Sequence, residues 1–226
     1  MTPGRCRNAL KRLAWLDYLL IASFLGLTAL LVMPGGPLAT RVSALWQNVQ
    51  SSRVIRARWD VIKQLSATRT APTSNPRPHD LIVVTDYECP HCRRMHREIE
   101  EMQAAQDISV GILHLPLSIH RRARDAARAA LCAKRVGGFE SMHDYLMTES
   151  DWMGPVSLEE VAGALEDVPT SDFKACLEDP DTDGELKRHG RLIAELGIRS
   201  TPTFLMKSGI LDNVKSREDL LRHLRP

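Results

Sequence analysis

Residues 81–92 read LIVVTDYECPHC. The first five form a β-branched apolar run bounded by polar residues, which predicts a strand buried on both faces. Beyond the turn, Cys92, Met95, Ile99 and Met102 recur at the helical period and line one face of a helix. Pro90 suits the first turn of that helix, where its missing amide costs nothing. A CxxC pair set between a strand and a helix does redox chemistry, whereas two such pairs at close spacing hold a metal. Cys89 is placed at the positive end of the helix, where unpaired amides and the macrodipole favour a thiolate, and a proton on His91 favours it further. A thiol in such a place is expected to titrate between roughly 3.5 and 7.5.

That acidity gives the chemistry a direction. A low thiol pKa stabilises the reduced pair relative to the disulfide, so the disulfide becomes a better oxidant of other thiols. A substrate thiolate attacks the sulfur of Cys89, and the mixed disulfide resolves when the substrate's second thiolate attacks its own bridged sulfur. Cys92, one turn further in, re-forms or releases the bond.

Downstream, residues 108–115 read as a second strand. Helices follow: an alanine-rich one ended by Gly137 and Gly138, one around residues 142–147, and one opened by the capping box Ser157–Glu160. A short helix carries Cys176, and a second capping box, Thr182–Glu185, is expected to open a helix that Gly197 ends. A strand at residues 203–206, a turn at Ser208 and Gly209 and a last helix opened by Ser216 complete the chain. Without the helical middle, the order is strand, helix, strand, then helix, strand, strand, helix, which is the thioredoxin order. Pro202, just ahead of the late strand, reads from the residues alone as an edge or bulge proline, with a cis bond as the alternative.

The N-terminal third is of a different kind. Residues 13–33, LAWLDYLLIASFLGLTALLVM, are apolar apart from Asp17 and the small Ser23 and Thr28, long enough for a transmembrane helix. Arg5, Arg7, Lys11 and Arg12 precede it without an acid, while only Arg41 and Arg53 occur in the twenty residues after it. Residues 1–12 are therefore expected to form a cytoplasmic tail and residues 13–33 a signal anchor; a cleaved signal peptide with its site near Ala44 is the competing reading. Leu45, Val49, Ser52, Ile55, Trp59 and Ile62 then recur at the helical period, predicting a juxtamembrane amphipathic helix. Its stripe packs on the domain or the lipid surface in one reading and forms a homo-oligomer through residues 45–65 in the other. Residues 67–79 carry three prolines among Ser, Thr and Asn and read as a linker, so that residues 34–79 hold juxtamembrane helix and linker and the folded domain runs over 80–226, with its helical insertion at about 118–180.

Composition excludes several classes. The 226 residues, 43% hydrophobic and 26% charged, are too many for a mini-protein and too ordinary for disorder or a repeat fibre. Basic groups outnumber acids by four to one over residues 1–40 and by seven to two over 41–80, whereas 19 face 25 over 81–226. An acidic domain behind a basic stretch offers no nucleic-acid surface.

DYECPHC, the segment ALCAKRVGGFESMHDYL and TPTFL together resemble the DsbA-like branch of the thioredoxin superfamily, over about residues 78–226. The resemblance implies an α/β thioredoxin fold with a helical insertion and a thiol:disulfide oxidoreductase without metal or cofactor. Cys89 would be its nucleophile and Cys92 its resolving cysteine, with Pro90 and His91 tuning them. Thr201 and a cis Pro202 would pair with extended substrate. Relatives usually carry a buried acid on the first strand, six residues before the nucleophile, where this chain has Val83. Thr201 matches isomerase and reductase relatives as well as oxidases. The expected partners are cysteine-bearing extracytoplasmic proteins and a membrane redox protein that recycles the pair. The expected place is the inner or cytoplasmic membrane, crossed once, with the domain on the periplasmic side. Net oxidation is the leading expectation, isomerisation or reduction the second, and a polypeptide-binding module without turnover the third.

Cys6 falls on the cytosolic side of the anchor, and Cys132 and Cys176 in an oxidising space, where a structural disulfide between them is set against two buried free thiols. A zinc site built on Cys89, Cys92 and His96 lacks the second ligand pair of structural zinc sites. Residues 179–184 copy half a calcium loop but lack its twelfth-position glutamate. His120 and His143 read as ordinary polar or capping residues, which leaves His91 as the one histidine given a chemical role.

Overall fold

The computed structural model describes residues 20–21, 23–24, 26, 36–69, 81–105, 108–211, 214 and 216–224. The chain divides into two compact units, Met1–Gln50 and Ser51–Pro226. The tail at 1–12, Cys6, most of the anchor and the later part of the linker lie outside the described residues. No helix among the described residues is long and apolar enough to cross a membrane. Within the anchor, the described Leu20, Ile21 and Phe24 are helical and exposed.

The helix α1 (Pro37–Leu65) belongs to the first unit up to Gln50 and to the second from Ser51. Its first part exposes Leu38, Val42 and Trp46. Its last part, within the second unit, buries Ile55, Trp59 and Ile62 against Ile82, Val84, Leu113, Leu192 and Leu205. Burial on this scale stabilises by roughly 1.5–3 kcal/mol per side chain. The C-terminal half of the expected stripe is thus spent on the domain, and an oligomer through residues 45–65 cannot use Ile55, Trp59 or Ile62 without unpacking it.

The second unit is built on one sheet. Its strands are β1 (Ala67–Arg69), β2 (Leu81–Thr85), β3 (Val110–His114), β4 (Thr203–Met206) and β5 (Gly209–Leu211), in the order β1-β3-β2-β4-β5. β2 runs parallel to β3, with Val83 opposite Ile112, and antiparallel to β4, with Val83 opposite Phe204. β1 and β5 close the edges, each antiparallel to its neighbour. Side chains alternate along a strand, so Leu81 and Val83 face one layer and Ile82 and Val84 the other. The first layer is α2 (Pro90–Ala105), packing Met95, Ile99 and Met102 on the sheet, together with the helical insertion. The second is the end of α1 and α7 (Pro180–Glu195).

The insertion comprises α3 (Ala123–Val136), α4 (Phe139–Thr148), α5 (Leu158–Ala164) and α6 (Thr170–Glu178). α8 (Arg217–Leu224) ends the described chain. Gly137 caps α3 at φ 94°, a conformation that disfavours any residue with a Cβ. Cys132 on α3 and Cys176 on α6 are joined in a disulfide. Closing a loop across 44 positions stabilises by about 4 kcal/mol on the chain-entropy account.

Two boundaries differ from the sequence expectation. Elements ahead of Asp80 join the compact unit that starts at Ser51: the end of α1 supplies core, and Ala67–Arg69 pairs with β3 where a linker is expected. α7 begins at Pro180, capped by Asp179, whose carboxylate accepts from the Asp181 amide. Thr182 cannot cap, since it is buried and its hydroxyl donates to the Cys176 carbonyl at 2.7 Å. The box at Ser157 and Glu160 is present with both of its hydrogen bonds.

Beneath β3, His114 and His189 stack with ring centroids 5.4 Å apart, and the His114 amide donates to His189 Nδ1 at 3.1 Å. Burial, with the Lys134 charge nearby, lowers His189 to about 4. Burial, with the charge of its partner, holds His114 well below 6.5. Both therefore stay neutral in the fold while the unfolded chain protonates them, so stability falls as pH drops from about 6.5 towards 4. For His189 alone the loss is on the order of 3 kcal/mol. Urea midpoints measured between pH 7 and 4.5 should decline steeply, and His189→Asn, which keeps an acceptor near Nδ1, should flatten the decline. An equally steep decline in that variant would assign the acid sensitivity to other groups.

Candidate active site

β2 ends at Thr85, and the chain turns through Asp86, Tyr87 and Glu88 before Pro90 opens α2. The turn is held by Asp86, whose side chain is fully buried. One carboxylate oxygen accepts from the Glu88 amide at 2.9 Å, and the other from the Leu117 amide at 2.7 Å and His120 Nδ1 at 2.8 Å. Glu88 in turn accepts from the Arg122 amide at 2.6 Å. The loop after β3 is thereby tied to the start of α2. Arg93 fixes the insertion from the other side, its guanidinium donating to the carbonyls of Leu146, Thr148 and Glu149 at 2.7–3.1 Å.

Cys89 and Cys92 are both free thiols and both largely buried. They sit in opposite environments. A hydrogen bond from the Cys92 thiol is the largest influence on Cys89 and outweighs its burial. The Cys92 and His91 amides and the Thr201 side chain add to it, bringing Cys89 down to about 5. Cys92 lies deeper; burial first, then its hydrogen bond with Cys89 and last the Cys89 charge, pushes its thiol far up, and the Thr85 side chain and Asp86 backbone only partly oppose this. One proton is therefore shared unequally, with the outer sulfur as thiolate and the inner one as its donor.

The Thr201–Pro202 bond is cis, and the Thr201 carbonyl lies 3.6 Å from Cys89 Sγ. Pro90 is exposed at the helix start, and His91 accepts a hydrogen bond on Nδ1 from Arg94 at 2.5 Å. Pro202, Cys92 and Thr85 line one small cavity behind the thiols, with room for about one water. Cys132 and Cys176 belong to the insertion, apart from this cluster.

His120, which reads from the residues alone as an ordinary polar or capping histidine, belongs to the site. Burial lowers its pKa, but the hydrogen bond and charge of Asp86, with the charges of Cys89 and Glu88, raise it above 6.5 overall. When protonated, the ring is held by Asp86 and its charge interacts favourably with that of Cys89. No spacing rule joins His120 to Asp86, 34 positions apart; only the folded loop does. His143, also read as ordinary, is buried and bonds Tyr87. His96 is buried on α2, with Nε2 3.5 Å from Glu100 and 3.6 Å from Asp144, and it lines the same cavity as Cys92.

In the reduced protein, thiolate absorbance should rise with a midpoint near pH 5, and His120→Ala should move that midpoint upward. The imidazole of His120, followed by NMR, should titrate above 6.5 in the reduced protein and lower in the disulfide form, where the thiolate charge is gone. Equal values in the two redox states would separate His120 from Cys89.

Residues 75–225 match the family described as Thioredoxin. Among solved structures, the chain is similar to a thioredoxin-like oxidoreductase from Silicibacter pomeroyi, at 23% identity and a TM-score of 0.60, over 72% of this chain and 93% of that one. It is likewise similar to the thiol-disulfide exchange protein alpha-DsbA2 from Wolbachia pipientis, at 17% identity and a TM-score of 0.62, over 77% and 94%. A stretch of 77 residues is 39% identical to part of the Na(+)/H(+) antiporter NhaA 1 of Mycolicibacterium gilvum, covering 33% of this chain and 12% of that protein's length.

Proposed function

Because the chain belongs to the thioredoxin family, we propose that its Cys89–Cys92 pair exchanges disulfides with other proteins, in the net direction of substrate oxidation. The observation that carries this reading is the opposite tuning of the two thiols, with Cys89 lowered to about 5 and Cys92 raised. In the oxidised pair, a substrate thiolate attacks Cys89 Sγ and forms a mixed disulfide, and Cys92 leaves as a thiolate and takes up a proton. The substrate's second thiolate then attacks its own bridged sulfur, closing the substrate disulfide and releasing Cys89 as a thiolate. Two electrons pass from substrate to the pair. A Cys89 thiolate stable at pH 7 is a good leaving group, which favours this direction. Thr201 and cis Pro202 would receive extended substrate beside the attacked sulfur, at the 3.6 Å approach of the Thr201 carbonyl.

The substrates would be cysteine-bearing proteins outside the cytosol, with a membrane redox protein re-oxidising the pair and residues 13–33 anchoring the chain. Support for the anchor comes from its apolar length, the basic residues ahead of it, and the exposed helical Leu20, Ile21 and Phe24. The disulfide joining Cys132 and Cys176 fits an oxidising compartment.

Catalytic amounts of the chain should speed the oxidation of a reduced, unfolded disulfide protein by oxidised glutathione. Cys89→Ser should abolish the effect, and Cys92→Ser should accumulate mixed disulfides on Cys89. Full activity in Cys89→Ser would replace this reading with a binding module.

A further inference from the structure

The raised, buried thiol of Cys92 poses a problem that the exchange steps leave open. To close a mixed disulfide, Cys92 must shed its proton, and to leave as a thiolate it must regain one. The neighbouring position on β2 is Val83, which carries no proton. The cavity behind Cys92, however, is also lined by His96 and His143. Their rings meet edge to face at 5.1 Å. One ring nitrogen of each and a carboxylate oxygen of Asp144 lie within 4.8 Å of one another. Both histidines are almost fully buried, yet the chain of groups leads outward: His96 Nε2 lies 3.5 Å from Glu100 and 3.6 Å from Asp144, whose side chains are 36% and 38% exposed. Tyr87 bonds His143 Nδ1 at 2.8 Å and so fixes the ring. Among the described residues, Glu100 on α2, Asp144 on α4, Tyr87 in the turn after β2 and the Cys92 thiol are titratable groups that face the pair or its cavity.

We propose that His96 and His143 form a proton relay that serves Cys92, connecting the cavity behind the thiol to solvent through Asp144 and Glu100. It rests on the exchange reading above and adds the route of the proton. In the closing step, the Cys92 S–H bond breaks and its proton passes, through a water in the cavity, to an imidazole nitrogen of the pair. The Cys92 thiolate attacks Cys89 Sγ, the disulfide forms, and the substrate sulfur departs with the electron pair of the broken bond. The imidazolium then releases its proton through the rim carboxylates. In the opposite step the relay delivers a proton to the departing Cys92. An imidazole can both take up a proton and pass one on, which a valine cannot.

The test uses the reduced full-length chain mixed with oxidised glutathione, quenched in acid at set times and resolved by mass spectrometry. Formation of the glutathione adduct on Cys89 depends on glutathione concentration; its closure by Cys92 does not, so the two rates separate. Closure in the wild type, followed across pH, should carry an inflection set by the pair. In the His96→Gln, His143→Gln double variant the inflection should vanish and closure at pH 7 should slow by about a hundredfold, the lower end of what positioned acid–base groups contribute. Adduct formation and the final equilibrium with glutathione should not move, since a relay speeds both directions alike. Unchanged closure and pH profile in that variant would overturn the relay. So would a wild-type rate that depends on a bound metal removed by EDTA. Should the double variant fail to fold, Asp144→Asn with Glu100→Gln at the exposed rim must slow closure, and a wild-type rate there overturns the proposal. If no adduct forms on wild-type Cys89, it is the exchange reading itself that fails.

Discussion

The structure depends on a difference in depth between two sulfurs one helical turn apart. Cys89 lies at the mouth of α2, where amides, the Cys92 thiol and Thr201 converge on it, and Cys92 lies against the sheet, where burial opposes charge. Neither value arises from the cysteines alone. Each requires α2 to start where it does, and that start is fixed by a buried carboxylate, Asp86, gathering the Glu88 and Leu117 amides and the His120 ring at once. The helix places the charge, and the turn places the helix.

The surrounding layers serve the same end. β2 is buried on both faces, so the turn at its end is held by packing from α2 on one side and from α1 and α7 on the other. The cis Thr201–Pro202 bond precedes β4, the antiparallel neighbour of β2, and so reaches Cys89 from across the sheet. Arg93, next in sequence to Cys92, binds the end of α4, so the insertion is oriented by the same helix that carries the thiols. The stacked pair of neutral histidines under β3 makes this core sensitive to acid, whereas stabilisation of the reduced site by the Cys89 thiolate builds up as pH rises from about 5 towards the ordinary thiol value of 9.0.

Much of this was legible in the residues. LIVVT announced its strand by β-branching, the cysteine and methionine spacing announced the buried face of α2, and Ser157 with Glu160 announced a helix start. CPHC between strand and helix carried the chemistry. Ala67–Arg69 was illegible because a three-residue strand has no period to read; it exists because the edge of β3 offers partners. Thr182 was misread as a cap because its competing bond, to the Cys176 carbonyl, is set by the packing of α6 on α7. The role of His120 was hidden for a related reason. Histidine is polar and common in loops, and only the tertiary contact with Asp86 couples its charge to that of Cys89. Chemistry that a motif or a cysteine pair marks could be read in advance, as for CPHC, Pro202 and the Cys132–Cys176 bond, and a contact without such a mark, like that of His120 with Asp86, could not.

The unequal tuning of the two thiols is most directly tested by the equilibrium of the Cys89–Cys92 disulfide with glutathione, measured on the full chain with the Cys132–Cys176 bond intact. A reduced form held by a Cys89 thiolate predicts a potential near or above about −150 mV. A potential near or below about −240 mV would contradict it, for the pair would then prefer the disulfide and act as a reductant.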